Sequence, residues 1–268
     1  MRALAVFAIL GSALAAAAGA GQRLAADEVA RRVRDRDTGR DSRAALHMKL
    51  VDRRGRARDR ALTLLTLKGK DNAGDRLLIR FTYPLDIRGT GFLVWEHPQG
   101  EDERFLYLPS LMRVRRIAGS ESQDSFVGSD FTYEDIGGRE FDDYTYAFAG
   151  PDAENASWTG PDGQPVPAFR LESKRKNPAV EFPRVVSLVL KDSFVVVQAD
   201  VFNRRNEKQK QYSVLTIRAV QGIQTVLAST MTNDLEKTKT ELTIEKIEYN
   251  AGLKEDAFSR RELEATIR

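Results

Sequence analysis

The chain has 268 residues, 41% of them hydrophobic and 30% charged, enough apolar material to bury a sizeable core. Lys and Arg number 42 against 39 Asp and Glu, a net charge of +3 that is weak support for a nucleic-acid partner. With no cysteine, disulfides, thiolate catalysis and cysteine-held zinc or iron–sulfur centres are excluded, and with two histidines, His47 and His97, no metal or other cofactor is expected.

The N-terminus reads as an address. Met1-Arg2 is a short positive start, residues 3–14 are apolar, and Ala18-Gly19-Ala20 is a small-residue cleavage site. Residues 1–20 are therefore expected to be a signal peptide cleaved near Ala20, leaving 21–268 as one domain. The competing reading is a retained anchor, for which the apolar run is short. In a Gram-negative cell the destination is the periplasm.

Residues 24–36 space Leu24, Val29 and Val33 with three alanines on one face of a short amphipathic helix. Its acids lie early and its arginines late, which suits the helix dipole. From Ala44 the period changes to two. Leu46, Met48 and Leu50 alternate with His47 and Lys49; Arg54-Gly55 makes a hairpin tip, and residues 62–67 return. Strand-like runs then recur at short intervals to residue 249, punctuated by turns such as Pro161-Asp162-Gly163 and Gln221-Gly222. No linker and no internal repeat interrupts them.

This pattern predicts a mainly β fold with some α-helix: a curved antiparallel sheet of about 10–11 strands, curling into an unclosed barrel with helices over its concave side. A concave apolar face of that kind can hold a ligand.

Catalytic signals are sparse. Ser129 lies in Gly128-Ser129-Asp130, which is not a nucleophile elbow. Asp130, Glu134 and Asp135 are candidates for paired-carboxylate chemistry, against the plainer reading of a turn whose acids cap backbone N–H groups. The basic run 53–60 reads as a solvated hairpin tip; as a binding element it suits an anionic membrane surface better than nucleic acid.

Residues 77–140 carry a resemblance. Gly89-Thr90-Gly91-Phe92-Leu93-Val94-Trp95-Glu96, Tyr107-Leu108-Pro109, Arg113-Val114-Arg115-Arg116-Ile117 and Gly128-Ser129-Asp130-Phe131-Thr132-Tyr133-Glu134-Asp135 resemble the outer membrane lipoprotein-sorting protein family, the LolA-like group associated with RND/MMPL exporters. The likeness extends to Tyr249-Asn250-Ala251-Gly252-Leu253 and the tail. It implies a non-enzymatic periplasmic carrier whose cavity takes acyl chains of a lipid or lipoprotein and delivers them toward the outer membrane, with transient membrane contact and an RND/MMPL-type inner-membrane exporter as a possible partner. The alternative it leaves open is a non-enzymatic sensor or exporter accessory subunit.

Within such a cavity the expected lining comes from alternate strand positions: Leu77, Ile79, Phe81, Leu93, Trp95, Phe105 and Tyr107. The motif residues Arg115, Arg116, Gly128, Ser129, Asp130, Phe131, Tyr133 and Asp135 are expected to be structural or to form a docking surface.

Overall fold

A computed structural model describes residues 23–70 and 73–265; the signal-peptide reading of residues 1–20 lies outside them. The strands are β1 (Asp41–Val51), β2 (Ala57–Leu67), β3 (Arg76–Tyr83), β4 (Gly91–Trp95), β5 (Glu103–Leu108), β6 (Arg113–Ile117), β7 (Tyr144–Phe148), β8 (Ala156–Thr159), β9 (Pro165–Arg175), β10 (Arg184–Leu190), β11 (Val196–Phe202), β12 (Lys208–Val220), β13 (Ile223–Asn233) and β14 (Thr238–Tyr249). They form one antiparallel sheet in the order β6-β5-β4-β3-β2-β1-β14-β13-β12-β11-β10-β9-β7, with β8 on β9. Nearly every neighbour in space is a neighbour in sequence; the pairing of β1 with β14 joins the two arms.

The sheet is curved and unclosed, as the strand pattern predicts, but it has 14 strands rather than 10–11. The shortest addition, β8, is four residues with Trp158 as its one buried side chain, too little for a periodic signal. Strands β6 and β7 are the two free edges of the path, and residues 118–143 run from one to the other.

Alternation sets the two faces. In β1 the buried positions Leu46, Met48 and Leu50 recur every second residue, and β10 and β11 show the same period. Following register from strand to strand carries one inner face across Ile79 and Phe92, Leu62 and Phe81, and on through Leu46 and Met48 to Leu242, Met231, Tyr212, Ala199 and Ser187.

The two arms fill this face differently. Over β1–β5 the crossing segment presses its own aromatics into the sheet. Phe126 lies 5.4 Å from Phe92 and 5.9 Å from Phe81, ring centre to ring centre, and Tyr133 lies 5.3 Å from Phe92. Over β7–β10 the cover is helix α1 (Ala26–Arg34), which buries Val29 and Ala30 against Phe169, Leu171 and Val189. Its acids Asp27 and Glu28 sit in the first turn and its arginines in the last, as expected.

On the outer face the tail folds back. A 3-10 turn (Glu255–Phe258) and helix α3 (Arg260–Glu264) bury Phe258 and Leu263 against Leu78, Leu93 and Phe105. Gly91 is needed there: a Cβ on it would stand 2.6 Å from Leu263 Cδ1.

Candidate functional site

The segment 118–143 is the element that shapes the site. Within it, helix α2 (Tyr133–Gly137) begins in a capping box. Thr132 Oγ1 accepts from Asp135 N at 3.0 Å, and Asp135 Oδ2 accepts from Thr132 N at 2.9 Å. Arg139 donates to Asp135 Oδ1 at 2.6 Å. Burial alone would raise the Asp135 pKa, but the Arg139 charge and the Thr132 bonds hold it below the ordinary value.

One turn earlier, Asp130 fastens the segment to the sheet. It accepts from Thr240 Oγ1 at 2.7 Å and from Thr238 Oγ1, while its backbone N donates to Thr240 Oγ1 at 3.0 Å. Lys210, buried on β12, donates to the Asp130 carbonyl at 2.9 Å. Gly128, at φ +74°, supplies the left-handed backbone of the preceding turn. Buried Ser129 donates to the Phe131 carbonyl at 3.4 Å, and the Phe131 ring meets Tyr212 edge-on at 6.5 Å. Arg115 pairs with Glu121 at 2.6 Å, and Arg116 lies 3.9 Å from Glu103; both arginines are exposed.

Glu134, which the sequence offers as a paired carboxylate or a capping acid, serves as neither. It is the centre of a buried network: Arg175 donates to it at 2.7 Å, Tyr144 at 3.0 Å, and Ser122 and Gln123 at 3.2 Å each. Its carboxylate is thus fully engaged in hydrogen bonds from four side chains, a pattern of structural anchoring.

Two adjoining hollows lie between α1, the crossing segment and the strands of the β7–β14 arm. One, of about 330 Å³, is walled by Ala30, Val33, Phe141, Tyr146, Leu171, Val189 and Val196. The other, of about 430 Å³, continues along Phe131, Ile136, Val195, Ala199, Val201, Tyr212, Val226, Met231 and Leu242. Val33, Gly138, Arg139, Ser187 and Val196 line both. Each volume falls within the range of about 300–1,000 Å³ usual for small-molecule sites, and the walls are largely apolar.

Charged groups also line the hollows: Arg139 stands in the wall they share, Arg34 in the first, and Glu134 and Asp135 in the second. Glu96 lines the first hollow beside Gly138; burial, together with the Asp75 and Asp102 carboxylates, pushes its pKa up to about 7. Arg36, just beyond α1, reaches the second hollow, and burial lowers its pKa.

The seven apolar residues expected to form a lining do not share a face. Leu77, Ile79 and Phe81 point inward, where Phe126 and Tyr133 already fill the space. Leu93, Trp95, Phe105 and Tyr107 point outward under the C-terminal tail, and Trp95 Nε1 donates to the Phe258 carbonyl at 2.7 Å. None of the seven borders the two hollows. Their strand walls come from the other arm, where β10 and β11 show the same period of two. What alternation does not encode is which part of the inner face the segment 118–143 occupies.

A family model described as "Uncharacterized protein" matches residues 73–265. The chain belongs to that family. No curated protein matches it. Among solved structures, the family's fold is shared by a domain described as an outer membrane lipoprotein-sorting protein from Vibrio parahaemolyticus, with 26% identity, TM-score 0.78, and 90% of this chain and 98% of that one covered. A DUF1329 family protein from Desulfovibrio piger matches at 28% identity and TM-score 0.78, over 89% and 97% of the two chains. A LolA superfamily protein from Nitrosomonas europaea, at 14% identity and TM-score 0.66 over 89% and 99%, shares the fold. The LolA-like resemblance seen in the motifs of residues 77–140 is thus matched by the whole architecture.

Proposed function

We propose that this protein is a periplasmic carrier. It holds acyl chains of a lipid or lipoprotein in the paired hollows beneath α1 and releases them toward the outer membrane, without a covalent step. The observation that carries this reading is a pair of adjoining, mostly apolar hollows beside a short helix.

Helix α1 has nine residues, too short to be stable alone, so its place depends on packing. Its two fully buried residues are small, Val29 and Ala30, with Leu24, Ala26 and Val33 partly buried beside them. Burial of a valine contributes about 1.5–3 kcal/mol, so displacing the helix costs little beside the gain from a seated chain. Arg34 over the Phe141 ring at 4.7 Å and Arg32 over Phe194 at 5.3 Å add weak latches of about 0.5–1 kcal/mol each. A chain buried in either the hollow or a bilayer gains about 0.8 kcal/mol per CH₂. Transfer between them is then close to balanced, and the helix sets its rate. The relatives' lipoprotein-sorting description and LolA superfamily membership support the same reading. An RND/MMPL-type exporter fits as the inner-membrane partner of such a carrier.

Titration with a fluorescent fatty acid tests this. Saturable binding is expected, and Ser187→Trp or Val33→Trp, each filling the hollow from a different wall, should weaken it at least tenfold with circular dichroism unchanged. Absence of saturable binding to the delipidated protein would refute the carrier reading.

A further inference from the structure

Six strand connections lie side by side along one rim of the sheet. In order they are residues 109–112, 84–90, 52–56, 234–237, 203–207 and 176–183. Adjacent strands are about 4.8 Å apart, so successive tips stand about 10 Å apart. Three of these tips hold out large apolar side chains: Leu85 is 82% exposed, Met112 86%, Leu111 65% and Leu235 51%. The first two tips touch, since a Cβ on Gly89 would lie 3.1 Å from Pro109.

Arginines are the commonest charged residues around these side chains, although Asp86 follows Leu85 and Asp234 and Glu236 bracket Leu235. The tip between Leu85 and Leu235 carries exposed Arg53, Arg54 and Arg56, with Arg58 just behind; Arg88 and Arg113 flank Leu85 and Met112, and Arg204 and Arg205 continue the line. The strand connections of the opposite rim, residues 68–75, 96–102, 191–195 and 221–222, contain no arginine. The molecule is therefore polarised along its strands, with one rim both basic and apolar.

Leu85, Leu111 and Met112 stand on touching tips and form one apolar patch, the kind of exposed surface that marks an interaction site. Apolar tips among arginines match a bilayer of anionic lipid, where the tips enter the headgroup boundary and the guanidiniums remain at the phosphates. We infer that this rim docks the protein on an anionic membrane surface through Leu85, Leu111 and Met112, steered by the 53–58 arginines. The inference deepens the carrier reading by naming the surface that meets the bilayer.

Co-sedimentation with vesicles tests it. The protein should pellet with phosphatidylglycerol-containing vesicles at low salt and remain in solution with phosphatidylcholine alone. Attraction to an anionic surface is worth about fivefold per arginine, so joint substitution of Arg53, Arg54 and Arg58 by Gln should lower vesicle affinity at least tenfold. Leu85→Ser with Met112→Ser should do the same without changing the salt dependence. All these side chains are exposed, and an unchanged melting temperature verifies the fold. Equal pelleting of both variants and the parent, or no pelleting of the parent, would overturn the docking rim. Fatty-acid binding measured without vesicles separates the two claims: intact binding with failed docking refutes the rim alone, while absent binding refutes the carrier.

Discussion

Glu134 accepts a hydrogen bond from Arg175 Nη1 at 2.7 Å, and the two side chains are only 5% and 11% exposed. The contact joins helix α2, seated on β4, to the end of β9 on the far arm. It therefore ties the crossing segment to the far arm of the sheet. The same carboxylate gathers Tyr144 from β7 and Ser122 and Gln123 from the crossing segment.

Removing that carboxylate should loosen the arms. Glu134→Ala leaves a buried guanidinium with Asp143 as its remaining acidic partner, at 2.9 Å. Breaking a buried pair in this way costs about 3–5 kcal/mol. Chemical denaturation should show a lower midpoint, with Glu134→Gln losing less because it still accepts hydrogen bonds. An unchanged midpoint for the alanine variant would refute the bridging role.

The cap at Asp135 makes a second prediction. Asp135→Ala removes both the N-cap partner of Thr132 and the main partner of Arg139. The cap alone is worth about 1 kcal/mol, and the unpaired arginine adds to the loss. The pH dependence follows from the lowered pKa. Stability from ionised Asp135 is present above its ordinary value of 3.8 and is lost as pH falls through the folded-state value. The acid limb of a pH–stability curve should be shallower in the alanine variant.

Glu96 has the opposite sign. Its pKa is raised from 4.5 to about 7 by burial and by Asp75 and Asp102. The folded state favours the protonated acid, so this contribution is complete below about pH 4.5 and is lost as pH rises through about 7. Glu96→Gln, permanently neutral, should narrow the fall in melting temperature between pH 5.5 and pH 8.5. Glu96 also lines the first hollow, so the same variant should reduce any pH dependence of fatty-acid binding.

The latches on α1 give a kinetic prediction. Arg34→Gln with Phe141→Leu removes the contact at 4.7 Å while leaving Val29 and Ala30 seated. Stopped-flow release of a fluorescent fatty acid to acceptor vesicles should accelerate about threefold to tenfold, in line with the loss of a weak cation–π contact and part of an aromatic packing surface. An unchanged rate would place the gate elsewhere.

Much of this architecture is legible in the amino-acid order. The change from helical spacing near residue 30 to alternation after Ala44 gives α1 and the sheet, and short polar turns give its antiparallel order. The candidate site is less legible for a physical reason. Leu77, Ile79 and Phe81 alternate as strongly as Val185, Ser187 and Val189, so period alone does not separate a filled wall from an open one. That distinction depends on where Phe126, Phe131 and Tyr133 dock, and docking is set by long-range contacts such as Asp130 with Thr240, 110 residues away. Likewise Leu93 and Ile79 read alike, although register places them on opposite faces. Glu134 reads as one acid among several because its four partners are scattered from Ser122 to Arg175.

The central claim is that the hollow carries lipid, and native mass spectrometry of the full chain expressed with its own N-terminus and purified from the periplasm tests it most directly. The account predicts a population heavier by one lipid at defined stoichiometry, with the adduct lost in Ser187→Trp. A parent protein that emerges free of lipid, and takes none up when incubated with vesicles, would contradict it.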